Sequence, residues 1–281
     1  MLDKKSRLSS IIYHTFMIGL GFLMIYPILW MFASSVKPEA EIFHNAASLI
    51  PSVFQWENYS IGWEGYGNFG FDLFFKNSMI VTSFVVIGTL ISSSLVAYGF
   101  ARLKFKFQKV LFACLLGTVM LPVQVVIIPQ YILFHNIGWV NTFLPLIVPA
   151  FLGGSAFFIF LMVQFIRGIP RELDEAATID GCSHFGIFWR IILPLCKPAL
   201  ITVTIFAFMW TWDDFFSPLI FLQDTRLYTV ALGLRGFMDP DAMTAWGPLI
   251  AMSSLSLLPQ FILFIFCQKY IVKGIATTGL K

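Results

Sequence analysis

"NSMIVTSFVVIGTLISSSLVAYGFA", residues 77–101, holds no charged side chain. A helix needs about 20 predominantly apolar residues to cross the ~30 Å hydrocarbon core of a bilayer, and this stretch is long enough. Five more runs share its character: 11–36, 110–133, 142–166, 199–222 and 247–268. The only carboxylates inside any of them are Asp213 and Asp214. Composition agrees: of 281 residues, 58% are hydrophobic and 12% charged, with a mean hydropathy of +0.82. Soluble domains carry about 25% charged residues. The sequence predicts an all-α membrane protein with six transmembrane helices.

Basic residues set the orientation, because Lys and Arg accumulate in cytoplasmic loops. With the N-terminus inside, the inner segments hold Lys4, Lys5 and Arg7, then Arg102, Lys104, Lys106 and Lys109. Arg167, Arg171, Arg190, Lys197, Lys269, Lys273 and Lys281 complete that set. The outer segments keep Lys37, Lys76, Arg226 and Arg235. Both termini are therefore expected in the cytoplasm, and the net charge of +3 expresses topology rather than nucleic-acid binding. The chain divides into a cytoplasmic N-terminus (1–10), a first helix with its outer loop (11–76), a core transmembrane domain (77–268) and a cytoplasmic tail (269–281). The first run is about twice the 7–15 residues of a signal-peptide core, so it reads as a retained helix.

Several chemistries lack their motifs. No G-x-x-x-x-G-K-[ST] phosphate cradle occurs, nor G-x-G-x-x-G, H-E-x-x-H or G-x-S-x-G. The four cysteines form no C-x-x-C pair, and His14, His44, His135 and His184 are scattered. No catalytic or metal-binding residues are expected: the chain reads as a transport subunit, not an enzyme. The sequon Asn58-Tyr59-Ser60 reads as a chance match. On the second helix, Ser92, Ser93, Ser94, Ala97 and Gly99 form a small-residue face suited to close helix packing.

The largest inner loop, 167–198, concentrates charge. In "GIPRELDEAATIDGCS", Pro170 suits a first helical turn. Glu172, Asp174 and Glu175 favour the positive end of a helix, and Gly181 can terminate it. Ser183 is placed to cap a second helical piece, "SHFGIFWRIILP". A charged, alanine-faced helix on the cytoplasmic side can sink into a groove of another protein.

Glu175-Ala176-Ala177, three residues, Gly181, nine residues, then Ile191-Ile192-Leu193-Pro194 reproduces the E-A-A-x3-G-x9-I-x-L-P signature. The chain thereby resembles the permease subunits of binding-protein-dependent ABC importers. Ile179-Asp180 before Gly181 is similar to their carbohydrate-uptake branch. "VAYGFARLKFKFQK", "LPVQVVIIPQYILF", "GWVNTFLPLIVP", "WTWDDFFSPLIFL" and "FCQKYIVKGIATTGLK" look like the maltose-type MalG group. The resemblance implies a heterotetramer of this chain, a second permease and two cytoplasmic ATPase subunits, served by an extracellular or periplasmic sugar-binding protein. It places the chain, multi-pass, in the bacterial cytoplasmic (inner) membrane. It implies that this chain binds no cofactor, ATP and Mg²⁺ being held by the ATPase. The helix between the fourth and fifth spans becomes a coupling helix, with Glu172, Asp174, Glu175, Ala176, Ala177, Asp180 and Gly181 as ATPase-coupling residues. Residues 273–281 are expected to reach the ATPase, and the outer loop 224–246 the docked binding protein.

A charged residue at a membrane-helix centre costs ~2.5–3.5 kcal/mol on insertion scales, so Asp213 and Asp214 should avoid lipid. Two roles are open: a hydrogen-bonded structural pair, or the lining of a translocation pathway shared with Trp210 and Trp212. Rival functions are an ion-coupled secondary transporter using both acids, and an importer permease for a non-sugar solute such as glycerol phosphate.

Overall fold

The computed structural model describes residues 2–238 and 244–278, and its regular structure is helical throughout. The expected tail contact at 273–281 and the centre of the 224–246 loop fall partly outside the described residues. Two compact units emerge. The first runs to Phe71 and includes Leu234–Leu257; the second comprises Asp72–Gly233 and the chain from Leu258.

In the first unit, α1 (Leu2–Ser34) is a long apolar helix whose large side chains between Ile11 and Leu29 are mostly exposed, as lipid or partner contact requires. The loop after it is structured. α2 (Glu39–His44) and α3 (Glu57–Glu64) both pack on the helix Trp246–Ser256. Lys37 is fully buried, its Nζ donating to the carbonyls of Asn45 (3.1 Å) and Ser48 (2.6 Å). Asn58 is buried too, its amide donating to the carbonyls of Ser35 and Lys37 at 3.0 Å each. A side chain spent in this way offers no glycan acceptor, consistent with a chance sequon. The Ser52 hydroxyl and main-chain N–H donate to Glu41, holding its carboxyl below the ordinary carboxylate range.

The second unit is built on α4 (Phe71–Arg102). This helix starts six residues before the uncharged run, because Asp72 sits favourably in its first turn and Lys76 lies within it. Its small face is buried at Ser92, Ser93, Ser94 and Ala97, and Ser92 donates to the carbonyl of Ala150 at 2.7 Å. The third apolar run is not one straight helix. α5 (Gln108–Val119) and α6 (Val123–Asn136) meet at 103°, with Pro122 at the break. α7 (Leu144–Phe151) and α8 (Ala156–Arg167) follow, then α9 (Glu172–Ile179) and α10 (His184–Ile187). A π-helical turn, Phe188–Ile192, leads into α11 (Leu193–Leu195), and α12 (Lys197–Trp212) leaves at 74°.

The fifth apolar run differs most from expectation. It is not continuous over 199–222: α12 stops at Trp212, and α13 (Phe216–Phe221) restarts after Asp213 and Asp214. α14 (Val230–Leu234) and α15 (Trp246–Ser256) come next, then α16 (Leu258–Thr278), which packs along α12. Among the described residues, four helical stretches are long and apolar enough to cross a membrane, or up to six if each bent pair counts as one span.

Candidate functional site

The charged loop forms the helix its residues predict. Glu172, Asp174 and Glu175 occupy the first turn of α9; Pro170, expected in that turn, lies just before it, and Arg171 is the N-cap. Gly181 ends it in the left-handed conformation, φ 80°. The N–H of Gly181 donates to Thr178 O (3.0 Å) and that of Cys182 to Ala177 O (2.9 Å). This pair of bonds is the Schellman arrangement, for which glycine is favoured because it lacks a Cβ. Ser183 then caps α10, its Oγ accepting from the Gly186 N–H at 3.2 Å.

α9 has two faces. Asp174 and Ala177, three apart, turn inward. Ala177 is buried in the chain's own core with Tyr98, Ala101 and Ile187. The Asp174 carboxylate lies 2.7 Å from Arg102 Nε, their side chains only 19% and 4% exposed. The contact, to Oδ2, is Coulombic rather than a well-aligned hydrogen bond, since Arg102 Nε has no hydrogen-bond partner; Asp174 Oδ1 has none either. Arg102 also donates from Nη2 to Ile169 O at 2.7 Å, and Arg171 Nη2 donates back to Ala101 O at 3.2 Å. The second bond satisfies a carbonyl at the C-terminal end of α4, where the cation also complements the helix dipole, and the first ties that end to the loop after α8. On the other face, Glu172, Glu175, Ala176 and Asp180 are exposed, and Ile179 is 87% exposed.

The sequence thus grouped seven residues that the fold divides. Asp174 and Ala177 hold α9 to its own bundle; Glu172, Glu175, Ala176 and Asp180 remain available to a partner; Gly181 shapes the exit. Arg102, which the sequence offers only as an inner cation, and Ile179, which it offers only as a mark of the carbohydrate branch, join this site in the structure. Arg102 had a usable signal, since it ends an uncharged run where a lone cation needs a counter-charge.

The second set of candidates lies around the α12–α13 break. Trp212 is 3% exposed and packed on Phe75 and Phe208, so it is core. Trp210 is 51% exposed and rests on Phe157 and Phe158, with ring centroids 5.2 and 5.0 Å away. It borders a wide concavity of about 1000 Å³ with Gln130, Ser155 and Phe157. Asp213 is exposed and accepts from Gln260 Nε2 at 2.6 Å. Asp214, half-buried, accepts from the Ser217 N–H at 3.1 Å and borders a separate cavity of about 230 Å³. The two acids do not pair with each other: each takes its own donor.

Comparison with known proteins gives a consistent picture. Residues 90–276 match the family model described as binding-protein-dependent transport system inner membrane component. A probable ABC transporter permease protein, YurM of Bacillus subtilis, is 39% identical over 91% of this chain and 83% of its own length. The arabinooligosaccharides transport system permease protein AraQ of the same organism is 33% identical over 95% of this chain and 94% of its own. Among solved structures, a bacterial ABC transporter involved in the import of the acidic polysaccharide alginate contains a chain of like fold. The TM-score is 0.82 at 20% identity, covering 96% of this chain and 98% of that one.

Proposed function

The chain belongs to the family of binding-protein-dependent transport system inner membrane components, and from that premise we propose that it forms half of the pathway of an ABC importer for a sugar or oligosaccharide. It is a multi-pass protein of the inner membrane. The carbohydrate assignment draws on the arabinooligosaccharide permease it is similar to. A second permease completes the pathway, two cytoplasmic ATPase subunits bind ATP and Mg²⁺, and an external binding protein delivers the solute. Each bent pair counts as one span, giving six, with both termini in the cytoplasm.

The observation that carries this reading is the two-faced helix α9. It carries the E-A-A-x3-G pattern, is fixed to α4 through Asp174–Arg102 and Ala177, and leaves Glu172, Glu175, Ala176, Ile179 and Asp180 uncovered. A helix anchored on one side and bare on the other passes a partner's movement into the bundle. It is the coupling helix, its apolar Ile179 and Ala176 seated in an ATPase groove and its carboxylates meeting basic groups at the rim. Trp210, Asp213 and Asp214 face the solute path: aromatic faces suit the apolar faces of sugar rings, and carboxylates accept from their hydroxyls.

The test is reconstitution of this chain with its co-expressed permease, ATPase and binding protein in liposomes. Binding protein loaded with arabinotriose should stimulate ATP hydrolysis more than binding protein offered sn-glycerol 3-phosphate, and the purified chain alone should turn over no ATP. Robust turnover by the isolated chain, or solute uptake without any ATPase, refutes the reading.

A further inference from the structure

We propose that the 230 Å³ cavity beside Asp214 is a subsite for one hydroxylated ring, a single sugar unit of the solute. This rests on the importer reading above and deepens it, by placing a solute contact inside this chain rather than only on the surface shared with a second permease.

The cavity lies wholly within the second unit. Its polar lining comes from Ser78 and Thr82 of α4, Gln130 of α6, Thr211, Asp214 and Ser217 around the α12–α13 break, and Thr229 just before α14. Two of these residues carry the argument. Thr82 and Thr229 are 1% and 4% exposed, and their hydroxyls have no hydrogen-bond partner. Unsatisfied buried hydroxyls are uncommon and unfavourable, and both residues border this cavity. Asp214 uses Oδ1 on the Ser217 N–H, leaving its other oxygen to accept. The site therefore offers a carboxylate acceptor and two hydroxyls that donate or accept, a set that matches the alternating needs of neighbouring sugar hydroxyls.

The walls are fixed independently of any ligand. Asn77 Nδ2 donates to the carbonyls of Arg226 (2.8 Å) and Tyr228 (3.0 Å), and Ser78 Oγ accepts from the Val230 N–H at 2.8 Å. These bonds pin the segment that carries Thr229 to α4. On another side Phe221 adds an apolar surface, itself held edge-on by Phe134 at 5.5 Å. A polar arc facing an apolar wall suits a ring with hydroxyls on its edge and C–H groups on its faces.

Size separates a ring from an ion. Metal cations bound by oxygen, such as Ca²⁺, draw six to eight ligands in to about 2.3–2.6 Å, and a cavity of this volume with an apolar wall does not close on one. It also falls below the ~300–1,000 Å³ of drug-sized ligand sites, at the scale of one sugar ring.

The experiment uses the complete transporter in liposomes, with Cys114→Ser, Cys182→Ser, Cys196→Ala and Cys267→Ser removing the native thiols. Val85→Cys places a probe in the cavity wall. Its reaction rate with a methanethiosulfonate reagent is measured against L-arabinose, D-xylose and D-glucose. At least one of these single rings should slow labelling saturably. Thr82→Val and Thr229→Val, which remove a hydroxyl at nearly constant volume, should each raise the half-protecting concentration about fivefold, as loss of one neutral hydrogen bond predicts. Absence of protection by all three sugars, with the cysteine still reactive, means a water-filled packing gap and overturns the proposal. Protection by NaCl but not by choline chloride means a cation site and overturns it equally. If protection is seen while no solute drives ATP hydrolysis, the ring subsite stands and the importer reading fails.

Discussion

Removing the Asp174 carboxylate should loosen α9 more than removing any of its exposed acids. Asp174→Ala leaves the Arg102 guanidinium, 4% exposed, without its counter-charge. Breaking a buried ion pair from one side costs about 3–5 kcal/mol. The lower end applies, because Arg102 keeps its bond to Ile169 O. The reverse change, Arg102→Ala, strands a carboxylate that is 19% exposed and can draw in water, so its cost falls between the ~1 kcal/mol of a surface pair and the buried value. About 3 kcal/mol corresponds to a little over two powers of ten in an equilibrium, at 1.36 kcal/mol for each. Amide hydrogen exchange over residues 172–181 in the nucleotide-free transporter reads this directly: Asp174→Ala should accelerate it about 100-fold. With α9 in the proposed coupling role, solute imported per ATP hydrolysed should fall in parallel, as an unanchored helix would follow the ATPase without moving the bundle. The double variant Arg102→Met with Asp174→Leu removes both charges, and most of the protection should return. If Asp174→Ala and Glu175→Ala give the same exchange and the same coupling ratio, the inward face of α9 has no anchoring role and the reasoning fails.

The two faces of α9 also separate under bulky substitution. Ala177→Trp overfills the chain's own core and should lower the thermal stability of the permease pair without any ATPase present, by roughly 1–3 kcal/mol or more; Ala176→Trp, on the exposed face, should leave melting unchanged and abolish capture of the ATPase on an affinity column. Equal melting of both variants contradicts the assignment of faces. A pH effect is expected in the loop after α1. Glu41 has its carboxyl lowered from the ordinary 4.5 by the Ser52 hydrogen bonds, so the contact is complete above that value and is lost as pH falls through the lower, folded value. Limited proteolysis near residues 45–54 should increase on acidification below pH 4.5, once the pH passes the lowered folded value, and Glu41→Gln should show the faster cleavage already at neutral pH.

Charge scarcity made the membrane class readable, because nothing but lipid or protein suits 25 uncharged residues in a row. Local rules also carried the charged loop around α9. Gly181 and Ser183 act through backbone geometry and one hydroxyl bond, so their neighbours suffice to place them. What composition hides is continuity. Runs 110–133 and 199–222 are as apolar as their neighbours, yet both are interrupted, because hydropathy records the solvent of a segment and not its backbone path. Pro122 is a visible cue for the first interruption; Asp213-Asp214 marks the second, though in the sequence it stands as a mid-helix pair. Inward and outward faces were equally hidden. Ala176 and Ala177 are chemically identical, and only the docking of α9 on α4 makes one core and the other surface. Trp210 and Trp212 divide in the same way, since two residues along a helix place side chains on different faces.

The break at Asp213 and Asp214 also has a local cause that bears on function. Carboxylates at the end of α12 meet the negative pole of its dipole, which favours leaving the helix there. Asp214 is then stabilised by the next turn: accepting from the Ser217 N–H, it does for α13 what a capping aspartate does for any helix start. Asp213 takes the Gln260 amide from α16, tying the break to the helix that runs beside α12. Backbone that leaves the helix within a membrane is tolerated where it lines a cavity or is buried in protein, and transporters often build solute sites from such interrupted helices. The cavity bounded by Thr82, Asp214 and Thr229 sits beside this one. The two acids are therefore neither a bare structural pair nor free ligands. Each spends one bond to hold the interruption open, and Asp214 keeps its remaining acceptor beside the space the interruption creates.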